Sequence, residues 1–154
     1  MHVIIMRHGQ AAYAGTDRVL TATGRAEAAA TGLKLGGLFT IHHVFASPKT
    51  RALETARLVL EQLPGVPPQL EEVRELTPSG NAALVHDLVL SRAQNHENVL
   101  LVSHIPLVEL LTEEFCPGIE MPIFGTAAAL VIDYDENMHG RAVKFITPSL
   151  EVTF

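Results

Sequence analysis

Short unbroken apolar runs alternate along this chain with longer stretches whose apolar residues return every three or four positions. The first run, Val3–Met6, reads as a buried strand and ends abruptly in Arg7-His8-Gly9. His43–Ala46 (HVFA) is the second, and Val99–Val102 (VLLV) is the clearest: apolar, unalternating and short, as expected of a parallel strand covered on both faces. Pro67–Glu75 is a weaker extended piece. Ala127–Ile132 and Ala142–Thr147 flank the turn-rich Asp133–Gly140 and predict a hairpin.

Helical spacing fills the intervals. Gln10–Arg18 reads as a polar loop, after which Thr21 or Thr23 can cap a helix with Ala26, Ala29, Ala30, Leu33 and Leu38 as its apolar positions. Ser47 suits an N-cap and Pro48 the first helical position, which puts Arg51 about one turn into a helix whose inward stripe is Ala52, Ala56, Val59 and Leu63. Asn81 can cap a third helix running to about Gln94, with Leu84, Val85, Leu88 and Val89 inside. Pro106 opens a fourth, with Leu107, Val108, Leu110, Leu111 and Phe115 on its apolar face.

Strands alternating with helices predict a three-layer α/β/α sandwich with a mostly parallel central sheet and a C-terminal antiparallel hairpin. In such sheets ligands bind beyond the carboxyl ends of the strands. Arg7 and His8 follow the first strand, Arg51 the second, Glu75 the third and His104 the fourth. A shared position at strand ends, not proximity in sequence, joins these residues.

Length and charge narrow the reading. A chain of 154 residues is expected to be one domain with a core that needs no staples. The formal net charge of −6 argues against nucleic acid or an anionic membrane as partner. One cysteine, Cys116, excludes an internal disulfide framework and fits a reducing compartment. No apolar stretch is long enough to span a membrane and no signal peptide is evident, so a cytoplasmic monomer is expected.

Two guanidiniums and two imidazoles converging on one crevice describe an anion site. Arginine is always charged and matches phosphate bidentately. A helix N-terminus behind Arg51 adds donors and a favourable dipole. An unprotonated imidazole there can attack phosphorus and carry the phosphoryl group.

With these residues in view, the chain resembles the histidine phosphatase superfamily, which includes the cofactor-dependent phosphoglycerate mutases. Arg7-His8-Gly9 after a starting strand is similar to its signature, and Leu20-Thr21-Ala22-Thr23-Gly24 to its helix start. Ser47-Pro48-x-x-Arg51-Ala52-x-x-Thr55-Ala56 and Val102-Ser103-His104 are similar to its second arginine and second histidine motifs. Glu75-Leu76-Thr77-Pro78-x-Gly80, Pro106-Leu107-Val108 and Cys116-Pro117-Gly118 bring the resemblance closest to the bacterial phosphohistidine phosphatases.

The resemblance implies a phosphoglycerate mutase-like fold over residues 1–154. It implies His8 as the nucleophile that becomes phosphohistidine, and Arg7 and Arg51 as clamps on the phosphoryl oxygens. His104, as imidazolium, donates to an equatorial oxygen, and neither metal nor cofactor is required. Glu75 stands where many members have a general acid. A phosphohistidine releases imidazole, whose conjugate acid has a pKa of about 6.5, and needs less proton donation than an ester. Arg18 is a further candidate for the phosphate, against a plain loop cation. Because no long insertion separates the motifs, no lid is expected. The implied substrate is a phosphohistidine on another protein, such as a histidine-containing phosphotransfer domain. A small-molecule phosphomonoesterase or mutase is the alternative, and a non-catalytic phosphoprotein-binding module a third reading.

His2, His42, His43, His86, His96 and His139 show no metal-ligand spacing and are expected to be surface or core filler. Gly9 is expected to let a phosphoryl group approach the backbone.

Overall fold

A computed structural model describes residues 1–154. Its strands are β1 (His2–Arg7), β2 (Ala11–Ala14), β3 (Asp17–Leu20), β4 (His43–Ala46), β5 (Leu70–Glu72), β6 (Val99–Ser103), β7 (Ala129–Tyr134), β8 (Gly140–Ile146) and β9 (Glu151–Thr153). Its α-helices are α1 (Ala22–Leu38), α2 (Thr50–Gln62), α3 (Ala82–Arg92) and α4 (Leu107–Phe115). Seven strands form one sheet in the order β5-β4-β6-β1-β7-β8-β9. The pairings from β5 to β1 are parallel and those from β1 to β9 antiparallel.

Alternation along β1 divides the core. Val3 and Ile5 join Val99, Leu101, Val85, Val89, Leu111 and Phe115, so α3 and α4 cover that face. Ile4 and Met6 join Val44, Leu100, Val102, Leu35, Ala56 and Val59 under α1 and α2. All of Val3–Met6 is sealed from solvent, and each such side chain stabilises the fold by roughly 1.5–3 kcal/mol. This is the expected three-layer sandwich.

The register sets one level for the site. Arg7 pairs with Ser103, and Ala46 with Val102. The ladder then runs one residue further, with His8 N–H donating to Ser103 O at 3.0 Å and Ser47 N–H to Val102 O at 3.1 Å. His8, Ser47 and His104 therefore leave the sheet side by side.

Several local expectations are corrected. Gln10–Arg18 is mostly a hairpin, β2–β3, standing apart from the main sheet and turning through Gly15-Thr16 with Gly15 at φ +68°. A glycine leading a two-residue turn is a hairpin signal, but Ala11–Ala14 lacks the alternation that would have marked a strand. The extended piece at Pro67–Glu75 pairs only over β5 and then tightens into a 3-10 turn at Arg74–Leu76. The C-terminal hairpin gains a third strand, β9.

Helix α1 buries Gly24, Ala28, Thr31, Gly32 and Leu35, and leaves Leu33 and Leu38 exposed. It meets α2 through small residues, which apolar periodicity cannot see. A Cβ on Gly32 would stand 2.8 Å from Val59 Cα. Thr21 caps this helix as expected, accepting from Gly24 N–H at 3.0 Å. Asn81 caps α3 in the same way, accepting from Leu84 N–H at 3.1 Å. Ser47 does not cap α2: the capping position is Lys49, with no side-chain bond, and the Ser47 hydroxyl is used elsewhere. Leu84 and Leu110, expected inside, are half exposed.

Candidate active site

Arg7 is the last residue of β1, and its Nη1 donates to Phe124 O at 2.9 Å, which aims the guanidinium across the strand end. His8 follows and is 4% exposed. Its Nδ1 donates to Gly9 O at 2.7 Å. A carbonyl only accepts, so the proton sits on Nδ1 and the lone pair on Nε2. Gly9 N–H donates to Thr55 Oγ1 at 3.0 Å, and that hydroxyl donates to Arg51 O at 2.8 Å. This two-bond chain ties the His8 turn to the first turn of α2, where Arg51 stands.

Gly9 has a packing reason that the sequence did not show. A Cβ there would lie 2.5 Å from Gly24 O, and one on Gly24 would lie 2.0 Å from Gln10 O. Two glycines let the strand-end turn and the start of α1 pack backbone to backbone.

His104 follows β6 and is 2% exposed. Its Nε2 is 2.8 Å from Ser47 Oγ, and its ring centroid is 5.1 Å from that of His8. Ser103 donates from Oγ to Leu76 O at 2.5 Å and so moors the 3-10 turn to β6. Glu75 sits in that turn, half-buried, with its carboxylate in no hydrogen bond or ion pair. The charges acting on His8 and His104 are cationic, and Glu75 is not among them. Arg18 is brought in by the hairpin and lines a groove of about 450 Å³ with Tyr13, Lys49, Arg51 and Ser79. The hairpin is held against α2 by Thr50 Oγ1 donating to Asp17 Oδ2 at 2.5 Å and Leu20 N–H to Glu54 Oε1 at 3.0 Å.

Three buried side-chain nitrogens have no partner: Arg7 Nε, Arg51 Nε and His104 Nδ1. Unpaired buried polar atoms cost free energy unless something satisfies them. Two are obligate donors, and all three belong to the residues gathered at the strand ends. A tetrahedral oxyanion is the ligand such a set fits. Ser47, Thr55 and the Phe124 carbonyl also shape the site. Ser47 and Thr55 lie inside the second arginine motif, but neither shows from sequence which group it touches. No three His, Cys, Asp or Glu side chains converge as a metal site.

Burial pushes the His8 imidazole down to about 4, with Arg51, Arg7 and Arg18 adding to the fall and its bond to Gly9 O opposing it. Burial pushes His104 down to about 3, reinforced by His8, Arg51, Lys49 and Arg18. Both rings are therefore neutral near pH 7 in the free protein. For His104 the expected imidazolium belongs to the transition state, where the phosphoryl anion in the site would favour the charged form against the cations around it. Arg7 and Arg51 are held below their ordinary value by burial first and by Arg18 second, with Glu27 opposing at Arg7 and Asp17 at Arg51.

These shifts have a stability consequence. Both folded values lie below the unfolded value of about 6.5, so the unfolded chain binds more protons across the interval from about 6.5 down to 4 and 3. Stability present above that window is lost as pH falls through it. Urea unfolding from pH 7 to 4 should show a decline on the order of a few kcal/mol. In His8→Gln and His104→Gln the decline should be shallower; an unchanged slope in both would refute the neutral buried pair.

A model of the histidine phosphatase superfamily (branch 1) matches residues 3–78. The chain is 39% identical over 146 residues to phosphohistidine phosphatase SixA of Escherichia coli (strain K12), spanning 91% of this chain and 89% of that protein. The chain belongs to the histidine phosphatase superfamily. The solved structure of SixA complexed with tungstate matches this histidine phosphatase with a TM-score of 0.88 and 35% identity, over 96% of this chain and 97% of that one. Human mitochondrial serine/threonine-protein phosphatase PGAM5 is 39% identical over 69 residues, 42% of this chain and 24% of that protein. A structure described as a putative alpha-ribazole-5'-P phosphatase from Escherichia coli shares the fold, with a TM-score of 0.68 at 21% identity. No helix of this histidine phosphatase is long and apolar enough to cross a membrane.

Proposed function

We propose that the protein is a cytoplasmic phosphohistidine phosphatase that removes the phosphoryl group from a histidine of another protein, with His8 as nucleophile. The observation that carries this reading is the hydrogen bond from His8 Nδ1 to Gly9 O at 2.7 Å. It leaves a lone pair on Nε2 of a buried, neutral imidazole, in the company of Arg7, Arg51 and His104. Likeness to SixA over nearly the whole chain supports the substrate class. That SixA forms a complex with tungstate, a tetrahedral oxyanion like phosphate, supports an oxyanion as the ligand.

The reaction has two steps. The substrate ring, protonated by solvent on its other nitrogen, leaves as neutral imidazole with the electron pair of its N–P bond as His8 Nε2 forms a bond to phosphorus. Water then forms the O–P bond while the Nε2–P bond breaks, its pair returning to Nε2; inorganic phosphate leaves with the oxygen. Arg7, Arg51 and His104 hold the three phosphoryl oxygens through both steps, and Arg18 extends the positive rim. Nothing in this route requires Glu75 to give up a proton, because imidazole is a good leaving group.

A partner of protein size suits the surroundings. The groove beside Arg51 carries Arg18, Lys49 and Arg51 against the single carboxylate of Asp17, and Tyr13, at 77% exposed, stands on the hairpin beside it with the Arg18 guanidinium 6.0 Å from its ring centroid. Ile105, next to His104, and Ile123, next to Phe124, are also exposed. Apolar groups around a cationic pocket fit a protein surface carrying the phosphorylated residue, as in a histidine-containing phosphotransfer domain. Every group of the site comes from one chain, so a monomer suffices.

The test is a substrate panel of phosphohistidine phosphotransfer domains, sugar phosphates and phosphoglycerates, assayed with wild type and Glu75→Gln. The expected result is turnover of a phosphohistidine protein that changes by less than about tenfold in Glu75→Gln, with the esters far slower. Fast ester hydrolysis that depends on Glu75 would replace this reading with a phosphomonoesterase.

A further inference from the structure

Ser47 is sealed from solvent, and its hydroxyl has two neighbours. Lys49 N–H donates to Oγ at 3.2 Å, and His104 Nε2 lies 2.8 Å away. The backbone amide can only donate. The single hydroxyl proton therefore has one acceptor within reach, the Nε2 lone pair of His104.

The two neutral forms of His104 can be compared by counting unpaired groups. With the proton on Nδ1, the Ser47 hydroxyl donates to Nε2, and only the Nδ1–H is left without a partner. With the proton on Nε2, that N–H donates to Ser47, and two groups are stranded: the Ser47 O–H and the Nδ1 lone pair. Buried unpaired polar groups are costly, so the first form is favoured. It also turns the orphaned His104 Nδ1 into a donor, the same kind of group as the orphaned Arg7 Nε and Arg51 Nε.

We propose that Ser47 is a positioning residue that holds His104 as the Nδ1–H tautomer, so that the ring presents a donor to the phosphoryl group. This rests on the phosphatase reading for its purpose, but the tautomer is a property of the resting protein. The chain Lys49 N–H to Ser47 O–H to His104 Nε2 also runs from the start of α2 to the residue after β6, and so fixes the second histidine relative to Arg51. The serine of the Ser47-Pro48 pair, which reads as a helix cap, is thus assigned to an imidazole.

Nitrogen-resolved NMR of protein labelled in histidine tests this, with His104 assigned by its loss in His104→Gln. Wild type should show a protonated Nδ1 and an unprotonated Nε2 at His104. In Ser47→Ala the ring should shift toward a mixture of tautomers, and turnover of the phosphohistidine protein should fall roughly ten- to a hundredfold, as for other outer partners that orient an imidazole. The loss should lie mainly in kcat rather than KM, and Ser47→Thr should restore tautomer and rate together. A wild-type ring protonated on Nε2 would overturn the proposal without any variant having to fold. So would an unchanged tautomer in Ser47→Ala. Failure of the phosphatase reading would leave the tautomer result standing, so the two are separable.

Discussion

Turnover of a phosphohistidine protein falls by about 10⁴-fold or more when His8 is replaced by Ala, because the atom that accepts the phosphoryl group is gone. The remaining arginines and His104 still bind and polarise phosphate, which is why a residual rate above the uncatalysed one is expected. The direct measurement uses substrate carrying radioactive phosphate. Quenching in alkali, which spares phosphohistidine, should leave label on wild-type chains during turnover and none on His8→Ala. His8 is 4% exposed, so truncation opens a small cavity. His8→Gln fills most of it and should be as inactive, which separates loss of the nucleophile from loss of the fold. Turnover within tenfold of wild type in both variants would remove His8 from the chemistry.

Arg51→Ala should cost about 10²–10³ in kcat, or roughly 3–4 kcal/mol, the size of effect seen when one preorganised donor to transition-state charge is deleted. Arg7 already spends Nη1 on the Phe124 carbonyl, whereas the Arg51 guanidinium opens onto the groove and has its Nε unpaired. Arg51→Lys keeps the charge but loses the planar fork, and should recover only part of the rate. A second consequence follows from the field. Arg51 is among the cations that hold His8 down at about 4. Removing it raises the His8 value, so the acid limb of kcat/KM should move to higher pH in Arg51→Ala. Rate loss with no movement of that limb would mean that Arg51 acts at a distance from the nucleophile.

The hydrogen-bond pattern gives the His8 and Arg51 expectations a common physical origin. Gly9 N–H, Thr55 Oγ and Arg51 O form one chain, and the Gly9–Gly24 backbone contact fixes the turn between them. The nucleophile and its principal cation are therefore positioned by the same few bonds, so single substitutions at the two residues should not be additive.

Much of this was legible before any coordinates. Val3–Met6, His43–Ala46 and Val99–Val102 are unbroken apolar runs because a strand between two helical layers needs apolar residues on both faces, and that requirement acts residue by residue. The same holds for Thr21 and Asn81 as caps, whose partners lie three residues along. Since the ligand side of such a sheet lies at its carboxyl ends, Arg7, His8, Arg51 and His104 could be gathered by their position after each run. What depended on residues far apart in sequence was out of reach. The buried face of α1 is set by glycines and alanines meeting α2, which carry no hydrophobic signal. The β2–β3 hairpin that delivers Arg18 is held by Asp17 and Glu54 contacts to other segments. The charge state of His104 follows from burial and from which cations the fold brings near it. Ser47 reads locally as a cap, and only the pairing of β4 with β6 puts its hydroxyl against an imidazole 57 residues away. The sequence by itself determined the layers and the strand-end residues, because periodicity and capping are local. Tertiary structure alone decided protonation, tautomer and the partners of each donor, because electrostatics and hydrogen bonding depend on what lies nearby in space.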